Sequence, residues 1–213
     1  VLMEYQNVRY LYTGDYKIEP DVTCEPIEFV QADVLITETT FADPEVTHPN
    51  AEEEIKKLNT VTTNIMLGAY ALGKSQRLIS LINKHCPDKK ILVHHNIMPF
   101  VNIYEQQGIA MGNYQVYDRK IMKQQLEGNI YLVPPMVFNS YIRAINVVRV
   151  FATGWKYLQQ GNGLHLYISD HVDWQGIIQT ITEVKPKEVW TLHGDGKQLK
   201  AHFKDQLTVK ILN

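Results

Sequence analysis

The chain has 213 residues and a mass of 24.6 kDa, enough for one large domain or two small ones at roughly 150 residues per domain. With 45% hydrophobic and 21% charged residues it is an ordinary globular composition, which excludes a disordered or low-complexity chain. A formal charge of −2, from 21 basic and 23 acidic side chains, excludes a bulk positive field but leaves room for a local basic groove, and no apolar run approaches the roughly 18 residues of a membrane helix.

The chain opens inside a predicted strand. Val1–Tyr5, which has no signal-peptide layout, and Val8–Tyr12 are short β-type runs around Gln6-Asn7, a hairpin spacing. Thr13-Gly14-Asp15 then ends the second run at a turn. Residues 19–28 carry Pro20, Cys24 and Pro26 and form a loop. Ala32–Glu38 is a continuous apolar run ending in an acid, which suits a buried strand with a carboxylate at its tip. From Pro49 the period changes: Asn50 caps a helix whose first turn holds Glu52, Glu53 and Glu54.

Strand 64–67, helix 73–83, strand 90–93 and helix 98–107 follow, then strands 129–133, stopped by Pro134-Pro135, and 147–152. Strand 165–168, helix 174–183, strand 189–192, helix 196–204 and strand 208–212 complete the chain. Strands alternating with helices predict a parallel sheet with helices on its faces. A β-rich start and a βαβαβ end flank the α/β middle, the pattern of an inserted domain. Two cysteines, Cys24 and Cys86, form neither a disulfide framework nor a metal knuckle. They point to a reducing, cytoplasmic setting, with Cys86 read as packing at a helix end.

Four side chains able to bind a metal or carry a proton come just after an apolar strand: Asp15, Glu38, His171 and His193. Strand tips of α/β folds hold such groups rigidly while loops admit substrate. Carboxylates and neutral imidazoles suit Zn²⁺ or Mn²⁺, and an aspartate can bridge two ions.

Four segments, Tyr12–Lys17, Ala32–Phe41, Ser169–Trp174 and Leu192-His193-Gly194, resemble the metallo-β-lactamase/β-CASP nucleases. Gly14-Asp15-Tyr16-Lys17, with residues 19–26 and Ala69–Leu78, is similar to the bacterial DNA ligase-associated exonuclease (mRNA 3′-end processing factor-like) branch. The resemblance runs from about Leu11 to His193, in order. It implies a metallo-β-lactamase αββα domain at 1–42 and 158–213, partial here, and an inserted parallel α/β β-CASP domain at 43–157. It assigns Asp15 as the metal-bridging aspartate and His193 as a ligand of one metal. Glu38 becomes the first β-CASP acid and His171 the second-motif histidine. Of the acids flanking His171, Asp170 and Asp173, one would orient its imidazole and the other cap the following helix.

The chemistry suits those types. Phosphodiester hydrolysis needs a hydroxide at neutral pH, charge neutralised on phosphorus, and a proton for the leaving oxygen. The His171–Glu38 pair would supply the proton. The family's His-x-His-x-Asp-His motif has no counterpart, because the only histidine pair, His94-His95, lies in the middle region. The chain therefore looks like the C-terminal two-thirds of such an enzyme, and no fully formed two-metal site is expected from it alone.

Gly68–Ser75 also fits the P-loop pattern GxxxxGKS, after a predicted strand and opening a predicted helix. A P-loop nucleotide-binding domain is thus an alternative. Bulky Tyr70 and Leu72, the lack of a downstream strand ending in Asp, and a similar Gly-Lys-x-Gln-Arg stretch in the ligase-associated relatives weigh against it. A milder reading has Lys74 and Arg77 binding a DNA phosphate at the helix N-terminus, with Lys17 as a further nucleic-acid contact and Trp155 stacking on a base. The expected function is a zinc-dependent DNA exonuclease in repair, partnered by a DNA ligase or helicase and not by a membrane. An RNA-processing nuclease and a non-catalytic nucleic-acid-binding fragment remain alternatives.

Overall fold

The computed structural model describes residues 1–118, 128–140 and 146–212. In chain order the elements are β1 (Leu2–Tyr5), β2 (Val8–Tyr12), β3 (Val34–Glu38), α1 (Ala51–Lys56), β4 (Asn64–Gly68), α2 (Lys74–His85) and β5 (Lys90–Val93). Then come α3 (Met98–Gln106), β6 (Gln115–Val116), β7 (Asn129–Val133), α4 (Pro135–Ser140) and β8 (Val147–Phe151). Last are α5 (Trp174–Val184), β9 (Glu188–Leu192), α6 (Lys197–His202) and β10 (Thr208–Ile211). The protein is a mixed α/β fold; the described residues form two five-stranded sheets, in which, among them, only the β1–β2 pair is antiparallel. Among the described residues no helix is long and apolar enough to cross a membrane.

The chain divides into two compact units. The first comprises residues 1–20, 26–48 and 169–213, with strand order β1-β2-β3-β9-β10. Gln6 and Asn7 take φ of 50° and 61°, the left-handed pair that a two-residue hairpin turn requires. Register aligns Leu11 with Leu35, Leu35 with Val189 and Val189 with Val209. That row packs with Ile177, Ile181 and Val184 of α5, burying one face of the sheet. The strands β2, β3 and β9 are parallel, so their carboxyl ends share one edge.

The second unit holds residues 21–25 and 49–168, with strand order β6-β5-β7-β4-β8, all parallel. Ile65 and Leu67 enter a core with α1, α2 and α3, while Met66 joins Leu92, Tyr131, Phe138 and Phe151 on the other face. Burial on both faces is why these strands read as unbroken apolar runs. The Asn50 side chain accepts the Glu53 N–H at 3.1 Å, the cap read from sequence.

Three sequence expectations need correction. Residues 165–168 form no strand, only a single bridge between Leu166 and Ala152. The buried Gln159 amide takes the Leu166 carbonyl (2.8 Å) and accepts the Leu166 N–H (3.4 Å), filling ladder positions a strand would have used. Pro135 does not merely stop β7. It opens α4, at the first helical position, where a missing N–H costs nothing. Finally, the expected boundaries at 42/43 and 157/158 lie instead at 48/49 and 168/169. Leu166 and Ile168 are buried in the second unit's core, and the Tyr167 N–H donates to Glu54 (2.9 Å). His48 belongs to the first unit, its ring against Phe41 and its N–H on Asp173.

Candidate active site

The site is assembled within the first unit, at the carboxyl edge of its sheet. β2 runs parallel to β3 with Tyr12 beside Ile36, and the Thr13 N–H extends the ladder to the Ile36 carbonyl at 3.0 Å. Gly14 then reverses the chain at φ 62°. Nothing lies within 4 Å of where its Cβ would stand, so conformation and not space calls for glycine there. The reversal carries Asp15 across the tip of β3 and aims the Tyr16 N–H at Glu38 Oε1, 3.0 Å away.

Glu38 is the last residue of β3, and its side chain is 1% exposed. A carboxylate so deeply placed needs partners. It has the Tyr16 N–H on Oε1 and His171 Nδ1 on Oε2 at 2.6 Å. His171 lies just before α5, where Ser169 Oγ accepts its N–H (3.0 Å) and donates to its carbonyl (3.1 Å). The Phe41 ring stands edge-on to the imidazole. Asp15 is exposed, with Oδ1 4.0 Å from His171 Nδ1. One ligand-type atom from each of Asp15, Glu38 and His171 lies within 4.8 Å of the others, the one such group of three among the described residues.

The 2.6 Å separation decides how Glu38 and His171 work. Two ligands of one tetrahedral zinc, at bonds near 2.05 Å, stand roughly 3.3 Å apart. Glu38 and His171 are therefore a hydrogen-bonded pair, with the imidazole oriented by the carboxylate. The Tyr16 phenol donates to Thr180 (2.9 Å). Burial pushes it up to about 12, against the lowering effect of its bonds with Thr180 and Thr37. It stays protonated at neutral pH and does not serve as a base.

His193 follows β9, where Leu192 pairs with Glu38, so its backbone occupies the neighbouring strand tip. It is exposed at φ 52°, and its side chain stands outside the three-residue group. Asp173 caps α5 by accepting the Gly176 N–H (3.0 Å) and also takes the His48 N–H (2.9 Å). The carboxylate holding His171 Nδ1 is Glu38, and Asp170 is half-buried next in sequence. Lys17 is half-buried two residues past Asp15.

The readings of Lys74 and Arg77 as phosphate binders are not supported by their placement. Lys74 is 5% exposed and its Nζ donates to the Ile168 carbonyl at 2.8 Å. Arg77 is buried with Nε 3.7 Å from Asp21. The P-loop-like segment is closed on itself, since the N–H groups of Lys74 and Ser75 bond to Leu72 and Tyr70 within the loop. A phosphate cradle needs such groups pointing outward. Trp155 lies exposed in the second unit. Sequence reading passed over Ser169 and the Tyr16 N–H, although Ser-x-His is a recognisable side-chain-to-backbone turn.

Fold and site together define a mixed α/β protein with a carboxylate–imidazole–carboxylate cluster at the carboxyl edge of a largely parallel sheet. No family model matches the chain. It is 30% identical over 201 residues to a protein named "Probable DNA ligase" from Opitutus terrae, covering 86% of this chain and 19% of that one. It is 23% identical over 209 residues to "DNA ligase 6" of Arabidopsis thaliana, covering 85% and 15%. The chain thus spans less than a fifth of either relative's length. A crystal structure of a protein of unknown function from Enterococcus faecalis V583 aligns over the whole chain and 58% of its own, with a TM-score of 0.59 at 12% identity. That likeness speaks to the fold alone.

The donor set fits part of a divalent ion's shell. Asp15 presents an exposed carboxylate and His193 an exposed imidazole at neighbouring strand tips, whereas a closed zinc site takes four ligands. The 213-residue chain is accordingly expected to bind zinc weakly, losing it to a chromophoric chelator in a competition titration. Two zinc ions retained against that chelator would contradict this.

Proposed function

We propose that the chain belongs to a metal-dependent phosphodiester hydrolase of the metallo-β-lactamase/β-CASP kind, acting on DNA in repair alongside a ligase. The observation that carries the reading is the buried Glu38 carboxylate hydrogen-bonded to His171 Nδ1 at 2.6 Å, with Asp15 reaching the same strand tip. The similarity to proteins named DNA ligases supports DNA as the substrate.

Asp15 and His193, with further ligands, would hold zinc or manganese, which supplies a water of pKa near 7 and positive charge opposite the phosphate. The remaining work falls to the chain's own side chains. Glu38 engages Nδ1, so proton exchange with substrate takes place at Nε2 of His171. As the P–O bond breaks, the leaving oxygen takes that proton. The carboxylate holds the imidazole at Nδ1 and fixes its plane beforehand.

The test is cleavage of end-labelled DNA and RNA strands by the protein that carries this chain, with zinc or manganese added. Asp15→Asn is expected to slow cleavage by at least about 100-fold. Faster cleavage of RNA than of DNA would move the reading to RNA processing. No cleavage of either strand, or full activity in Asp15→Asn, would overturn the hydrolase.

A further inference from the structure

We infer that two loops at the carboxyl edge of the second unit's sheet form a stacking platform for the unpaired bases of single-stranded nucleic acid. The inference rests on the nucleic-acid reading above and names the strand state that reading leaves open.

β4 and β8 are neighbours, with Gly68 paired to Phe151, so the loops that follow them leave the sheet side by side. The first carries Tyr70 and Leu72, 59% and 61% exposed. The second carries Trp155 and Tyr157, also exposed, with ring centroids 5.5 Å apart. Four large apolar side chains facing water on two adjacent loops are costly unless something covers them. Neither residues 69–73 nor residues 152–163 include an acid, and Lys156, next to both Trp155 and Tyr157 in sequence, is exposed. Exposed rings on loops that carry a lysine and no acid match the chemistry of a nucleic-acid strand.

Both loops are held rigidly from below. The buried Gln159 amide donates to the carbonyls of Phe151 (3.1 Å), Thr153 (3.3 Å) and Leu166 (2.8 Å). The Trp155 N–H bonds to Thr153 Oγ1 at 3.2 Å. In the first loop, Ser75 Oγ holds the Tyr70 carbonyl (2.7 Å) and Gln76 holds that of Ala71 (3.1 Å). These bonds tie down the backbone from which the exposed rings project. A pre-set ring surface binds with less entropy lost.

Stacking asks for a free base face, which a duplex does not offer. The experiment titrates the 213-residue chain with a labelled (dT)20 strand, an (rU)20 strand and a 20-base-pair duplex. Trp155→Ala and Tyr157→Ala are each expected to weaken binding of both single strands about tenfold or more, and of the duplex much less. Trp155→Phe should restore affinity to within about threefold, since a ring is kept, while removing most of the tryptophan quenching seen on binding. Unchanged single-strand affinity in the double alanine variant overturns the platform, as does equal loss on duplex. Loss of self-association in sedimentation, with strand binding intact, would likewise overturn it in favour of a protein partner. The readout involves no cleavage, so it stands or falls separately from the Asp15→Asn assay.

Discussion

Replacing His171 with alanine is expected to slow cleavage of a natural phosphodiester by roughly 10²–10⁴-fold, the usual contribution of a positioned general acid. Glu38→Gln should lose a similar factor, because a neutral amide does not hold the imidazole at Nδ1 as the carboxylate does. The two losses should not add. The residues act as one unit joined at 2.6 Å, so the double variant should be about as slow as the worse single one. A nitrophenyl phosphodiester separates this role from a merely structural one, since nitrophenolate departs without a proton. His171→Ala should lose little on that substrate, and equal losses on both would sink the assignment. Stability offers a second readout. Without the imidazole, the buried Glu38 keeps the Tyr16 N–H on Oε1 but loses its partner on Oε2, and an under-satisfied buried acceptor costs about 1–3 kcal/mol.

Gly194→Ala is expected to be the most damaging single methyl in the first unit. A Cβ at this position would sit 2.2 Å from the Thr39 carbonyl oxygen and 2.6 Å from Thr39 Oγ1. The chain there cannot easily back away. The Thr39 N–H bonds to the Leu192 carbonyl at 2.8 Å, and Thr39 Oγ1 donates to the same oxygen at 3.1 Å. Relief therefore means breaking the contact between the tips of β3 and β9, the frame that carries Glu38 and His193. Overpacking of this kind costs on the order of 3 kcal/mol or more. Gly14→Ala provides the comparison, because its Cβ meets nothing within 4 Å and only the left-handed backbone is strained. That strain is worth about 1–2 kcal/mol. Urea unfolding of both variants should rank Gly194→Ala clearly below Gly14→Ala. If the order is reversed, the close approach at Thr39 is softer than its distances imply.

The local features of this molecule are written in short stretches of chain. Gln6-Asn7 marks a hairpin, Asn50 ahead of three glutamates marks a helix start, and Ala32–Glu38 marks a buried strand with an acid at its tip. Each depends on interactions within a few residues, so residue type and spacing are enough to read them. The four strand-end side chains could be picked out on the same grounds.

Partnership across long separations is another matter. Glu38 and His171 are 133 residues apart; only the family resemblance paired them, and neither composition nor spacing gives their 2.6 Å hydrogen bond. The Lys74 of a P-loop-like string proves to be an internal strut on Ile168, and the run 165–168 yields its ladder to the Gln159 side chain. Where a polar group spends its hydrogen bonds depends on which distant backbone atoms arrive beside it once the core has closed. Residue identity sets the chemistry each side chain can offer. Packing decides whether that chemistry faces a substrate or is consumed in holding the fold together.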